Sequence, residues 1–150
     1  MKMIYRKMEE ADIQKVIPLY MEYYNYKDNS CWTKETTYKR IHQVWSREDS
    51  HCLVLENNEV IIGFAMGYFE QYDDLVAYDL IEIVIALAYQ NKGFGTALML
   101  ELERQVKSMG ASMIQLQAVN DEKHNRFYGR LQYKDVGNLI LKAKWQLGAD

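Results

Sequence analysis

Gln90-Asn91-Lys92-Gly93-Phe94-Gly95-Thr96 is the stretch on which the reading of this chain turns. Ahead of it runs Leu75-Val76-Ala77-Tyr78-Asp79-Leu80-Ile81-Glu82-Ile83-Val84-Ile85-Ala86, rich in β-branched residues and therefore strand-forming. Behind it Leu98, Leu102, Val106 and Met109 recur at helical spacing, with Glu101, Glu103, Arg104 and Lys107 between them. A strand, a glycine-containing turn and a helix start together make an anion cradle. Unpaired backbone N–H groups converge there, and the helix dipole adds partial positive charge. Glycine lets a phosphate approach the backbone without meeting a Cβ.

Spacing narrows the choice of phosphate ligand. A dinucleotide fingerprint needs a glycine three residues after Gly95, where Leu98 stands. A P-loop needs Gly-Lys-Ser/Thr four residues after an earlier glycine, and neither part is present. What stands here is Gln-x-x-Gly-x-Gly between a strand and a helix. Downstream, Asn120 follows an apolar segment, and Asn125-Arg126-Phe127-Tyr128-Gly129-Arg130-Leu131-Gln132-Tyr133 forms a second block. The two blocks, in this order and at this separation, resemble the pyrophosphate-binding motif and the "Asn…Phe-Tyr…Leu-Gly-Phe/Tyr" segment of the GNAT superfamily of acetyl-CoA-dependent N-acetyltransferases. The resemblance covers residues 75 to 145, with a weaker but compatible N-terminal half. It departs from the family at Gln90, where arginine is commoner, and at Gly129 and Gln132, which replace a larger residue and a glycine.

At 150 residues, 49% hydrophobic and 26% charged, the chain is expected to form one domain, 1–150. Its formal charge of −3 gives no general affinity for nucleic acid. No run approaches the ~20 apolar residues of a membrane helix, and Met1-Lys2-Met3-Ile4-Tyr5 reaches Arg6-Lys7 at once, without a signal-peptide apolar region. Cys31 and Cys52 have neither CxxC spacing nor a histidine cluster beside them, so neither a metal site nor a disulfide scaffold is expected. A cytoplasmic protein follows from these features.

Periodicity and end signals give the order β-α-α-β-β-β-α-β-α-β-β. Met3–Arg6 reads as the first strand. A helix from about Glu9 to Tyr26 follows, with Ile13, Val16, Ile17, Tyr20 and Tyr24 as its apolar stripe and Pro18 expected to kink or divide it. Thr33 caps a helix over Lys34–Trp45. His51–Glu56 and Val60–Phe69 form strands joined by a tight turn at Asn57-Asn58. Gly110 stops the helix after the cradle. Ser112–Val119 reads as a buried strand, Lys123–Leu131 as a short helix, and Tyr133–Asp135 with Leu139–Lys144 as a closing hairpin. This is an α/β chain with a mixed sheet flanked by about four helices, the order that the GNAT fold implies.

The resemblance also implies a chemistry and its residues. Acetyl-CoA would be the acetyl donor, its pyrophosphate on Gln90, Asn91, Lys92, Gly93, Phe94, Gly95 and Thr96. Its pantetheine arm would lie along Ile83, Val84 and Ile85, where the fourth and fifth strands splay apart in the family. Asn120 and Asn125 match positions that contact the CoA arm. Tyr128 matches the general acid. A phenol, with pKa about 10, can protonate a thiolate whose acid has pKa about 8.5 at modest cost. Glu82 matches the base and interrupts an otherwise apolar strand. Asp79 is its rival, and three residues apart on a regular strand the two face opposite sides. Beside these roles stand plainer ones: Tyr128 as one of twelve tyrosines, Glu82 as a partnered structural carboxylate, Asn125 as an early-helix hydrogen-bonding residue, Lys92 as a loop lysine. The expected partners are acetyl-CoA and an amine, without nucleic acid, membrane or metal, and with a homodimer left open. A non-catalytic acyl-CoA-binding domain is the alternative.

Overall fold

The structure, a computed structural model, describes residues 2–148. The chain divides into two compact units, one ending at Gln117 and one beginning at Ala118.

The first unit holds strands β1 (Met3–Lys7), β2 (Ser50–Asn57), β3 (Val60–Gln71), β4 (Val76–Ile85) and β5 (Met113–Leu116), and helices α1 (Asp12–Lys27), α2 (Lys34–Trp45) and α3 (Phe94–Ser108). The five strands form one sheet in the order β1-β2-β3-β4-β5. The first three pairings are antiparallel and β4–β5 is parallel. The crossover through α3 makes the last pair parallel, as a strand–helix–strand unit requires.

One sheet face packs on α1 and α2. Cys52, Val54, Phe64, Met66 and Val84 meet Ile13, Val16, Ile17, Tyr20, Ile41 and Val44 there. Alternation sends His51, Leu53 and Leu55 to the opposite face, where His51 Nε2 meets Gln105 Oε1 of α3 at 2.8 Å. His51 and Cys52 thus serve different layers, as strand neighbours must. Arg6 fixes β1 to the start of α1, its Nη1 and Nη2 donating to Asp12 Oδ2 and Oδ1 at 2.7 and 2.9 Å. This fork holds the Asp12 carboxyl below the usual carboxylate range.

Helix α2 starts and ends where its sequence predicts, because Thr33 and Thr36 close a reciprocal capping box. Pro18 does not divide α1, which runs through it for 16 residues. Pro18 and Gln14, whose carbonyl would have accepted the missing N–H, are both exposed, so water can satisfy that group. The β2–β3 turn is centred one residue later than expected. Asn58 and Glu59 carry φ +50° and +71°, the both-positive pair of a type I′ hairpin. The predicted buried strand over Ser112–Val119 is shorter, Met113–Leu116, and half-exposed, as suits the edge of the sheet.

The second unit contains α4 (Glu122–Arg130), with Asp121 as its N-cap accepting from the His124 amide at 2.8 Å. The helix ends in a Schellman motif: Tyr133 N–H donates to Tyr128 O and Gln132 N–H to Gly129 O, both at 3.0 Å. Gln132 takes φ +70° at the position where such a motif favours glycine. This accounts for the glycine that the family pattern prefers there. The closing hairpin expected over 133–144 is not formed. Among the described residues no strand follows α4.

Candidate active site

Three features of the first unit converge around β4. The first is a bulge. The β3–β4 register runs from Gly63↔Ile85 to Met66↔Glu82 and resumes at Gly67↔Leu80, so Ile81 is an extra residue. Gly67 is required beside it, because a Cβ there would lie 2.0 Å from Asp79 O. The bulge corrects the expectation that Asp79 and Glu82 face opposite sides. Asp79 stands opposite Tyr68 and Glu82 opposite Met66, two residues apart on β3, so both project to the α1–α2 face. Their surroundings differ. Asp79 lies beside Glu70 and raises the Glu70 carboxyl above its ordinary range.

Glu82 occupies the second feature, a buried polar cluster. It is 5% exposed. Its Oε2 accepts from Tyr20 OH at 2.9 Å and from Arg40 Nε at 3.1 Å, and its Oε1 accepts from Tyr24 OH at 2.7 Å. Burial and the adjacent carboxylate push both phenols well above the ordinary tyrosine range, so they remain donors. Trp32 sets its ring edge-on to Tyr20, with centroids 5.0 Å apart. Sequence reasoning named Glu82 but missed Tyr20, Tyr24 and Arg40 as polar partners. The available signal was a pair of tyrosines four apart on the buried stripe of α1, beside an apolar strand interrupted by carboxylates.

The third feature is the splay of β4 and the turn after it. β5 accompanies β4 only over Ala77–Leu80. Ile81, Glu82, Ile83, Val84 and Ile85 continue along β3 with no β5 neighbour. A short 3₁₀ turn at Leu87–Tyr89 then leads to Gln90, whose side chain donates to Ile85 O at 2.9 Å and ties the loop to the strand end. Asn91 at φ +60° and Gly93 at φ +87° curl the chain into α3. Helices α2 and α4 are capped by Thr33 and Asp121, whereas Gly93 offers α3 no capping side chain. The first bond into α3 runs from Ala97 N–H to Gly93 O, at 3.0 Å. The N–H groups of Asn91, Lys92, Gly93, Phe94, Gly95 and Thr96 therefore have no backbone acceptor among the described residues. Convergent, uncapped amides at a helix start are what an anion needs. Lys92 folds back, its Nζ donating to Ala88 O at 3.2 Å.

In the second unit, Tyr128 lies on α4 between the rings of Phe127 and Tyr133, with centroids 5.0 and 5.8 Å away. Asn125 Nδ2 donates to Asn120 Oδ1 at 3.1 Å, so these two asparagines hold one another. Neither cysteine has the setting of a nucleophile. Cys52 is buried in the α1–α2 core and its thiol is pushed up to about 11, while Cys31 is exposed.

A parallel pair that splays after Leu80, followed by an uncapped helix that starts at a glycine, is the arrangement that sets this site apart from the rest of the sheet. The model of the GNAT acetyltransferase family matches residues 13–133, and the chain belongs to that family. Solved structures share the fold. A possible acetyltransferase from Clostridium difficile 630 superposes with a TM-score of 0.83 at 11% identity, covering 96% of this chain and 98% of its own. Glucosamine-6-phosphate N-acetyltransferase from Arabidopsis thaliana gives 0.71 at 18% identity, covering 97% and 100%. An aminoglycoside N-acetyltransferase in complex with CoA gives 0.76 at 13% identity, covering 97% and 96%. No curated protein sequence matches the chain. Among the described residues no helix is long and apolar enough to cross a membrane.

Proposed function

We propose that this protein is a cytoplasmic N-acetyltransferase acting as a single functional domain, which moves an acetyl group directly from acetyl-CoA to a primary amine of a small molecule, peptide or protein. The observation that carries the reading is the pairing of uncapped amides at Asn91–Thr96 with the stretch Ile81–Ile85, which has β3 on one side and no β5 neighbour on the other. Acetyl-CoA supplies the acyl group as an activated thioester. The amides of Asn91 to Thr96 hold its pyrophosphate. The free edge of Ile83, Val84 and Ile85 offers backbone groups to the pantetheine amides and to the carbonyl oxygen as it gains negative charge. The amine nitrogen bonds the carbonyl carbon while the C–S bond breaks. The proton lost by nitrogen leaves through water near Glu82, and the departing sulfur takes one from Tyr128. Tyr128, Asn120 and Asn125 come to these roles through the family pattern alone. Glu82 keeps its place beside the amine, but with three donors on its two oxygens it acts by position and charge.

The alternative, a non-catalytic acyl-CoA-binding domain, has no use for a buried Glu–Tyr–Tyr–Arg cluster beside the thioester stretch. Calorimetric titration with acetyl-CoA and CoA, followed by an amine screen for CoA release, tests the proposal. Failure to bind either ligand overturns it. Binding without turnover of any amine favours the alternative.

A further inference from the structure

Arg40 is placed to do more than neutralise Glu82. Its Nε is spent on Glu82 Oε2 and it also hydrogen-bonds with Tyr20, yet its side chain is still 40% exposed. A guanidinium has five N–H donors in a planar fork, so most of this one remains for another acceptor. It is also held in place: Glu82 is buried beside the bulge of β4 and accepts from Arg40 Nε at 3.1 Å. Glu82 itself lies within Ile81–Ile85, the stretch that loses its β5 neighbour. A half-exposed cation with one edge anchored on the strand stretch that lacks a β5 neighbour is a built anion receptor.

Resting on the acetyltransferase reading, we propose that Arg40 determines acceptor specificity by binding a carboxylate carried by the amine, so that the acceptor class is amino acids. Charge balance selects the carboxylate. Glu82 and Arg40 form an ion pair, Nε to Oε2 at 3.1 Å, and act on Tyr20 with opposite signs. A phosphate monoester brings nearly two negative charges and wants more than one cation. A zwitterion adds no net charge and aligns with the pair. Its carboxylate meets the outer edge of Arg40, and its ammonium lies toward Glu82, whose field favours it until it sheds its proton.

The test measures kcat/KM at saturating acetyl-CoA for the free amino acids, their carboxamides, the corresponding decarboxylated amines, and phosphoethanolamine. Wild type should prefer the best amino acid over its carboxamide by about 10- to 100-fold, the range of a charge-assisted hydrogen bond. The preference should lie mostly in KM, because the carboxylate contact is made before and during reaction alike. Arg40→Gln should bring the ratio close to one while the acetyl-CoA dissociation constant stays put, and Arg40→Lys should recover part of it. Equal rates for acid and carboxamide, a stronger preference for phosphoethanolamine, or no turnover of any amino acid would overturn the inference. So would Arg40→Gln lowering acid and carboxamide rates alike. If Arg40→Gln fails to fold, the wild-type acid-to-carboxamide ratio and Arg40→Lys decide alone. Loss of acetyl-CoA binding by wild type would instead strike the acetyltransferase reading itself.

Discussion

The two units use similar sequence material to opposite ends. Up to Gln117, apolar residues of strands and helices disappear into two layers around the sheet, and Phe64 is 0% exposed. From Ala118 onward, an apolar segment of comparable strand propensity, Leu139-Ile140-Leu141, stays in solvent, with Leu141 81% exposed. Helix α4, earlier in the same unit, needs neither fate. Its Asp121 cap and its Schellman ending are local devices, complete within residues 121–133. A helix can be specified locally, whereas a strand is specified only with its partner. The functional division follows the same line. The proposed acetyl-CoA cradle belongs to the packed unit, and the proposed acid, Tyr128, to the locally stabilised one.

The largest expected effect falls on the cradle. Gly93→Val should remove measurable acetyl-CoA binding in calorimetry. Gly93 sits at φ +87°, where a β-branched residue is strained, and valine would narrow the approach to the converging amides. Lys92→Ala should cost little, because Lys92 is turned back onto Ala88 O. If Gly93→Val binds as well as wild type, the packed unit does not carry the cofactor at this turn.

The acid in the second unit should give the next effect. Tyr128→Phe is expected to lower kcat by ~10²- to 10⁴-fold, the usual worth of general acid catalysis. Acetyl-CoA affinity should stay near wild type, since the hydroxyl matters only as charge develops on sulfur. Unchanged turnover would make Tyr128 a structural ring among Phe127 and Tyr133 and leave the second unit without a chemical role.

How much of this was legible follows the same local-versus-distant rule. Helix α2 was read to the residue because Thr33 writes its start. The cradle was legible because strand, glycine turn and helix are contiguous. The bulge at Ile81 was not, since nothing within β4 marks an extra residue. It exists through close approach at Gly67, on another strand. That single residue put Asp79 on the same face as Glu82, against the strict alternation assumed. Tyr20, Tyr24 and Arg40 were unreadable as partners of Glu82 because 62, 58 and 42 positions separate them from it. The hairpin after Tyr133 was predicted from apolar pattern, which states what a segment could pair with and not whether it does.

Stability should divide the units in the same way. Phe64→Ala removes a fully buried ring from the α1–α2 core and should cost about 3–5 kcal/mol, read as a fall in the denaturation midpoint at unchanged m-value.

Leu141→Ser should give the smallest effect, and it is the sharpest probe of the contrast. An exposed leucine buries little on folding, so its replacement is expected to move stability by no more than about 0.5 kcal/mol. The expectation rests on Leu141 being open to solvent and on the absence of any strand after α4 among the described residues. Denaturation should be followed at two protein concentrations a hundredfold apart. A small, concentration-independent change supports the contrast between a packed and a solvent-facing unit. A loss of 1.5 kcal/mol or more at both concentrations would mean that the segment packs within its own chain in solution. A loss that grows with protein concentration would mean that it packs against a second copy, as the homodimer left open by the sequence would require. Either result would break the comparison in a definite direction, because burial is the only physical reason for serine to cost so much at this position.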